Sequence, residues 1–207
     1  RLVEAVALAS ATGAAVEVVT ALASVKPRQL TAALEAGLSR LTVSLHTLDP
    51  ERFRELYGFS TLDDMLGKLE MVLAWRDRRG YSLTVDLAFV AMDRNLDELQ
   101  RIASFAAQCN IPVVAVHPVI SRDPLPLGEV AERSPDGMLE NGFRERLLDA
   151  VTTTRRVVPD VALQLSSSEL SSISRLDGHS RLWPGPLPAG AKIGGCDQSP
   201  FDTVHVL

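Results

Sequence analysis

The chain has 207 residues, of which 46% are hydrophobic and 23% are charged, and its formal net charge is −5. This composition is typical of a folded protein with a sizeable core, and the length allows one or two domains at ~150 residues each. A negative net charge gives no support for a nucleic-acid or anionic-membrane surface, and no apolar run approaches the ~20 residues of a membrane-spanning helix.

The predicted elements alternate between helical spacing and short apolar, β-branched runs. Asp49-Pro50 marks a helix start, because Asp is a favoured N-cap and Pro a favoured first residue. In chain order the predictions are a helix from 2 to 10, a strand over 16–20, a helix from 26 to 37, a strand over 41–45, a short helix from 50, a longer helix from 60 to 80, a strand over 83–91, a helix over 96–108, a strand over 113–116, a long loop over 121–137, a helix over 143–157 and a strand over 161–165.

This alternation repeats at roughly 30 to 40 residues per unit, the rhythm of βαβ units with a parallel sheet. The strands are nearly continuous in apolar residues, as expected when both faces of a sheet are covered. We therefore predict an α/β fold. In such folds ligands bind at the carboxyl ends of the strands.

Polar side chains lie at the carboxyl ends of several predicted strands. Ser44 and His46 end one strand, Thr20 ends the strand before it, and His117 ends a later one. Because these strand ends meet at one edge of a parallel sheet, we expect one shared site. Alternation along a strand places Thr42, Ser44 and His46 on the same face.

The two cysteines, Cys109 and Cys196, form no disulfide framework, so we expect a reducing cytoplasm. Arg1 leads directly into helical spacing without a signal-peptide pattern. Residues 201–207 alternate like a strand that continues. We expect the chain to be a piece of a longer protein.

Several stretches, in this order, resemble the middle of a radical SAM enzyme. "GAAVEVVTAL" is similar to the third strand of that family's barrel, and "ALEAGLSRLTVSLHTLDPERFRELYG" to the fourth strand and the segment after it. "LTVDLAFVAMDRNLDELQRIASFAAQCNI" is similar to the fifth strand and helix, and "PVVAVHPVI" to the sixth strand. "GGCDQSPFDTVHVL" resembles the opening of a SPASM-type C-terminal extension. The order and spacing of these stretches carry the resemblance.

Three departures from the family pattern stand out. The cluster-binding Cys-x3-Cys-x2-Cys signature is absent from this chain, which fits a piece that starts after that loop. Thr20-Ala21-Leu22 replaces the usual Thr-Asn-Gly, so a tight glycine turn is not assured. His46 stands where Asp is frequent.

The resemblance implies a partial (β/α)6 TIM-like barrel with parallel strands over residues 1–165. Residues 166–207 would then be a linker and the start of a SPASM-like extension. The implied cofactors are S-adenosyl-L-methionine (SAM) and a 4Fe–4S cluster whose SAM-binding ligands lie outside this chain. The implied activity is reductive cleavage of SAM to a 5′-deoxyadenosyl radical, which abstracts hydrogen from a substrate.

The implied partners are SAM, an electron donor such as ferredoxin or flavodoxin, and a peptide or small-molecule substrate, with a peptide preferred. Cys196 would be a ligand of an auxiliary iron–sulfur cluster, since thiolates are the usual ligands; alternatively it is a buried apolar residue. We expect the chain alone to be inactive.

Each candidate site residue has a structural alternative. Ser44 and His46 would hydrogen-bond the ribose or carboxylate of SAM, or they are a satisfied core serine and a capping histidine. His117 would line the adenine, or it is a polar strand end packed on Pro118. Thr20 and Asp86 are weaker candidates. Asp86 lies within an apolar strand and needs a partner, either Arg94 or a group of SAM.

Two other functional classes stay open. An ordinary (β/α)-barrel enzyme, such as an aldolase or isomerase, would need a lysine or a carboxylate pair at the strand ends. The lysines at 26, 68 and 192 lie at a helix start, within a helix and in the late linker, which counts against a Schiff base. A noncatalytic barrel that serves as a binding module is the other class.

Overall fold

The computed structural model describes residues 2–58, 60–79, 83–118 and 141–165, in which strands and helices alternate. In chain order the elements are α1 (Leu2–Ala11), β1 (Glu17–Thr20), α2 (Pro27–Glu35), β2 (Arg40–Ser44), α3 (Pro50–Tyr57), α4 (Leu62–Arg79), β3 (Thr84–Ala91), a 3-10 helix (Asp93–Glu98), α5 (Leu99–Gln108), β4 (Val113–Pro118), α6 (Asn141–Val157) and β5 (Ala162–Leu165).

The five strands form one parallel sheet in the order β1-β2-β3-β4-β5. Each strand lies beside the one that precedes it in the chain, which is the connectivity of consecutive βα units. The predicted α/β fold is confirmed, and the open sheet is consistent with a partial barrel. Among the described residues, no helix has the length and apolar character that a membrane span needs.

The predicted helix starts are correct at α2 and α3. At α3, Oδ1 of Asp49 accepts hydrogen bonds from the backbone N–H groups of Glu51 and Arg52, both at 2.9 Å. Gly58 ends this helix with a φ of +71°, a conformation that glycine adopts without steric cost. The helix predicted over 96–108 differs. A 3-10 helix fills Asp93–Glu98, and α5 begins only at Leu99.

The two faces of the sheet differ in burial. On one face, which we call the covered face, apolar side chains pack under the helices as part of the hydrophobic core. The other, which we call the open face, carries polar and small side chains, many of which keep some exposure. The covered face includes Leu41, Val43, Val85, Leu87, Phe89, Val114, Val116, Leu163 and Leu165. The open face includes Glu17, Val19, Arg40, Thr42, Ser44, Thr84, Asp86, Ala88, Val90, Val113, Ala115, His117, Ala162 and Gln164.

The strand register arranges the open face in rungs from the amino to the carboxyl ends of the strands. Glu17, Arg40 and Thr84 form the first rung, and Thr42 and Asp86 lie together in the second. Ser44, Ala88 and Ala115 form the third, and Val90 and His117 the fourth. The first two rungs carry charged side chains, the third carries small ones and the fourth carries an imidazole. The sequence predicted nearly continuous apolar strands with both sheet faces covered. In the structure, only the covered face is uniformly apolar.

Candidate functional site at the carboxyl edge of the sheet

The site begins where β2 ends, because the chain turns there and holds an imidazole against β3. The backbone N–H of Val90 donates to Nδ1 of His46 at 3.2 Å. Nδ1 is therefore the unprotonated nitrogen, and Nε2 carries the proton of a neutral ring. Burial, together with the neighbouring His117, lowers the pKa of His46 to about 4, against the opposing effect of the backbone carbonyls of Leu45 and Ala88. His46 is thus a neutral N–H donor at pH 7.

Aromatic residues of α3 support this imidazole. The rings of His46 and Tyr57 stack with centroids 5.6 Å apart, and Tyr57 in turn stacks on Phe53 at 4.3 Å. The Tyr57 hydroxyl donates to the backbone carbonyl of Ser44 at 2.9 Å. Burial raises the pKa of Tyr57, which keeps the hydroxyl protonated as a donor. Helix α3 therefore fixes the ring plane of His46 and the backbone of Ser44 together.

The 3-10 helix holds the same turn from the other side through Asn95, which is 1% exposed. Its Oδ1 accepts from the backbone N–H of Met92 at 2.8 Å. Its Nδ2 donates to the carbonyls of His46 and Val90, both at 3.0 Å. One amide side chain thus ties the ends of β2 and β3 together. The local bond to Met92 explains the tight 3-10 turn in place of the predicted loop before residue 96.

Glu98, 2% exposed, is the second anchor from the 3-10 helix. Its Oε2 accepts from the backbone N–H of Leu48 at 3.2 Å, and its Oε1 contacts Arg52 at 3.3 Å and Arg101 at 3.1 Å. Two guanidinium groups thus balance this buried carboxylate. Thr47, fully buried, accepts from the N–H of Asp49 at 2.9 Å, so its role is structural.

His117 lies on the open face at the end of β4, paired in register with Val90. Burial lowers the pKa of its imidazole, so it too is neutral at pH 7. One rung below lie Ser44, Ala88 and Ala115, whose side chains are all small. Barrel interiors are usually filled by bulky branched residues. The side chains at this rung therefore add little bulk to the open face next to the His117 rung.

Thr20 is not brought into this group. It pairs with Val43, which places its side chain on the covered side of the sheet. Its Oγ1 accepts from the N–H of Leu22 at 3.0 Å. Leu22 has a φ of +58°, so this chain makes the left-handed turn without the family's glycine.

Lys68 of α4, 9% exposed, holds this turn in place. Its Nζ donates to the carbonyls of Leu22 and Ala23 at 3.0 and 3.3 Å, and contacts Asp64 at 2.7 Å. The ammonium group of Lys68 is therefore bound by two backbone carbonyls and Asp64.

Asp86 lies on the open face, two rungs below the imidazoles. Its partner is Arg40, with the guanidinium 3.4 Å from Oδ2, and the predicted pairing with Arg94 is wrong. Arg94 instead reaches the sulfur of Met92 at 3.9 Å. The parallel register explains the difference, because it brings Arg40 and Asp86 to adjacent rungs of neighbouring strands. Burial raises the pKa of Asp86, which Arg40 opposes and Glu17 reinforces.

Cys196, proposed from the sequence as a cluster ligand, lies outside the described residues, as do all of residues 166–207. Cys109 is partly buried at the end of α5, and burial raises the pKa of its thiol. Across the described ranges, His, Cys, Asp and Glu side chains form no group of three or more that could hold a metal ion.

A groove of about 350 Å³ lies away from the carboxyl edge, among the 3-10 helix, α5 and α6, and includes Asp93, Arg146 and Asp149.

Three residues that organise the region were not predicted from sequence: Asn95, Glu98 and Lys68. In the sequence, Asn95 stands out only as a family-like position before a helix. A polar residue at an apolar-spaced position signals burial, but only the fold shows which carbonyls it satisfies.

Comparisons with known proteins identify several relatives of this chain. No protein-family model matches the chain. It is 28% identical over 162 residues to a GTP 3',8-cyclase of Pseudomonas syringae pv. syringae, covering 77% of this chain and 41% of that protein. It is 35% identical over 97 residues to GTP 3',8-cyclase 1 of Pseudomonas aeruginosa, covering 46% of this chain and 26% of that protein. It is 31% identical over 88 residues to a probable GTP 3',8-cyclase of Sulfurisphaera tokodaii, covering 41% and 26%.

These relatives are named as GTP 3',8-cyclases, and the similarity supports the radical SAM superfamily for this chain. The chain spans less than half the length of each of these relatives. A crystal structure of 2,3-dimethylmalate lyase, a PEP mutase/isocitrate lyase superfamily member, is 13% identical with a TM-score of 0.42, covering 86% of this chain and 58% of that one. That likeness is too distant to bear on fold or function.

Proposed function

We propose that this chain forms one wall of the SAM site of a radical SAM enzyme, and that the whole enzyme acts on a purine nucleotide such as GTP. The observation that supports the SAM site is the convergence of Ser44, His46 and His117 at the carboxyl edge of the sheet. The nucleotide substrate rests on the relatives' names, which specify GTP. A peptide substrate, preferred from the sequence, has no support among these relatives.

The edge has the chemistry that SAM requires. Ser44 offers a hydroxyl that both donates and accepts, suited to a ribose or carboxylate. The protonated Nε2 of His46 is a donor, and the neutral imidazole of His117 gives a flat surface for adenine. Neutral rings suit this role because a sulfonium cofactor carries positive charge, which an imidazolium would repel. The small side chains of Ala88 and Ala115 put little bulk in the way of a ligand at this edge.

When bound, SAM and its cluster supply the radical that abstracts hydrogen, which is cofactor chemistry rather than chemistry of these side chains. The contribution of this chain is to bind and orient. The ties of Asn95, Glu98 and Tyr57 hold the His46 turn rigidly, as positioning demands. Cys196 remains a proposed ligand of an auxiliary cluster, in the proposed SPASM-like extension over 166–207.

The aldolase-type alternative has less support. A Schiff-base enzyme needs a lysine facing the substrate. Within the described residues, Lys68 is buried against two carbonyls and Asp64, and Lys26 is exposed at the start of α2. Neither lies on the open face.

The test is calorimetric titration of S-adenosylhomocysteine, a stable analogue of SAM, into the full-length protein that contains this chain. We expect binding that weakens about tenfold in Ser44→Ala and in His117→Ala, the usual effect of losing one hydrogen bond or stacking contact. Ser104→Ala is the matched control, because Ser104 lies on α5, where its hydroxyl donates to the Gln100 carbonyl at 2.9 Å. Full-length wild-type protein that does not bind the analogue, or Ser44 and His117 variants that bind it unchanged, would overturn the proposal.

A further inference from the structure

A second polar group lies deeper on the open face, at the amino-terminal rungs of the sheet. We call it the lower cluster; it consists of Glu17, Arg40, Thr42 and Asp86. The Thr42 hydroxyl donates to Oε1 of Glu17 at 3.0 Å, and Arg40 lies 3.4 Å from Oδ2 of Asp86. The cluster brings together residues from three strands, so the register of the sheet builds it.

Asp86 is the unusual member. Its side chain is 6% exposed, yet among the residues that the structure describes Oδ1 has no hydrogen-bond partner. Arg40, by contrast, is 50% exposed and contacts only the other oxygen. Buried polar atoms are nearly always paired in native proteins, so an unpaired carboxylate oxygen indicates a missing partner.

The lower cluster lies on the same face of the sheet as the proposed SAM site at the carboxyl edge. Asp86 lies four residues before Val90 on β3, which is roughly 13 Å along an extended strand. Only the small side chain of Ala88 lies between them on this face of β3. A ligand seated over Ala88 therefore lies between the imidazoles and the carboxylate.

The charge of the lower cluster selects the kind of group that binds there. Glu17 and Asp86 bring two carboxylates against the single guanidinium of Arg40. A phosphate is disfavoured at such a net negative site, whereas a neutral or cationic N–H donor is favoured.

We propose that Asp86 is a specificity-determining residue whose Oδ1 accepts a hydrogen bond from an N–H of the substrate. This inference rests on the proposed function and adds to it a contact with the base. The donor edge of guanine, with its ring N1–H and exocyclic amine, has the required chemistry. The donor would reach Oδ1 rather than Oδ2, the oxygen beside the half-exposed Arg40, and the net negative charge of the lower cluster disfavours the triphosphate there.

The test compares GTP with inosine triphosphate, which lacks the exocyclic amine, and with N1-methyl-GTP, which lacks the N1–H. The full-length wild-type protein should bind GTP about tenfold more tightly than at least one analogue, since a charged acceptor left unpaired costs at least that much. Asp86→Ala should abolish the preference and Asp86→Asn should reduce it. Glu35→Gln is the matched control, because it removes an exposed carboxylate on helix α2 rather than on the open face, and it should keep the preference.

The two proposals fail separately. Asp86 variants that keep the wild-type preference, or full-length wild-type protein that shows no preference or no GTP binding, would overturn this inference. If S-adenosylhomocysteine still binds in the same preparation, the SAM site stands. A merely structural role for Asp86 would change thermal unfolding but leave the ratio of nucleotide affinities unchanged. Unfolding curves of Asp86→Asn and Asp86→Ala, recorded alongside, show which variants are folded enough to be scored.

Discussion

The imidazole of His46 caps the backbone N–H of Val90 on the neighbouring strand, so a side chain completes the edge of the sheet where β2 has ended. Burial and the neighbouring His117 lower the pKa of this imidazole, and a proton on Nδ1 would also remove the acceptor. The bond thus connects the stability of the carboxyl edge to pH.

We predict that stability falls with pH through this histidine. Its folded pKa is about 4 against an ordinary value of 6.5. Its contribution is therefore complete above pH 6.5 and is lost as the pH falls from 6.5 to 4, because only the unfolded chain takes up the proton. The loss has an upper limit of about 3 kcal/mol.

Urea unfolding at pH 7, 5.5 and 4.5 checks this. His46→Gln keeps an acceptor and does not titrate, so its stability should fall less than that of the wild type over the same range. Parallel curves for the two proteins would contradict the assignment.

We predict that Asn95→Ala destabilises the chain by about 2 to 3 kcal/mol, because it leaves one buried N–H and two carbonyls without partners. Gln100→Ala, on an exposed face of α5, is the control and should change stability by less than about 0.5 kcal/mol. Chemical denaturation measures both. A loss for Asn95→Ala as small as the control's would mean that water replaces the amide.

Leu22 allows a comparison in which the usual order of glycine and alanine reverses. A left-handed residue other than glycine costs roughly 1–2 kcal/mol, and Leu22 has a φ of +58°. Both Leu22→Gly and Leu22→Ala lose a fully buried side chain. We expect the glycine variant to be the more stable of the two by about 1 kcal/mol.

Leu34 of α2 is the matched control, since it is 2% exposed but helical. There alanine should be more stable than glycine by about 1 kcal/mol. Thermal or urea unfolding of the four variants gives both differences. The same order at both positions would show that the turn at Leu22 is not left-handed in solution.

Asp86→Asn should stabilise the chain at pH 7 by about 1 kcal/mol, because it removes a charge from a desolvated position. The raised pKa of Asp86 gives the sign: the charged form is disfavoured in the fold, and the disadvantage grows as pH rises above the ordinary pKa of the group. Unfolding of both proteins at pH 7 and at pH 4 measures it, and the gain should shrink at pH 4. A loss of stability at pH 7 would mean that the Arg40 pair outweighs burial.

The sequence was informative where local chemistry decides the structure. The Asp49-Pro50 helix start and the alternation of Thr42 and Ser44 depend on neighbouring residues, and both are seen. Side-chain contacts that depend on strand register could not be predicted from the sequence. Arg40 rather than Arg94 lies by Asp86, and Thr20 faces Val43's side of the sheet, because strand offsets are set by packing of the whole core. Whether Ser44, His46 and His117 bind SAM remains a prediction.

The separation of the two sheet faces has a consequence for how the chain can change. Leu87 and Phe89 lie in the core, while Ala88 and Val90, which alternate with them along the strand, lie on the open face. Along β3, the constraint on substitution should therefore alternate from residue to residue. Core packing limits one set of positions, and the proposed ligand site limits the other. New substrate preferences could then accumulate on the second set while the fold beneath stays the same.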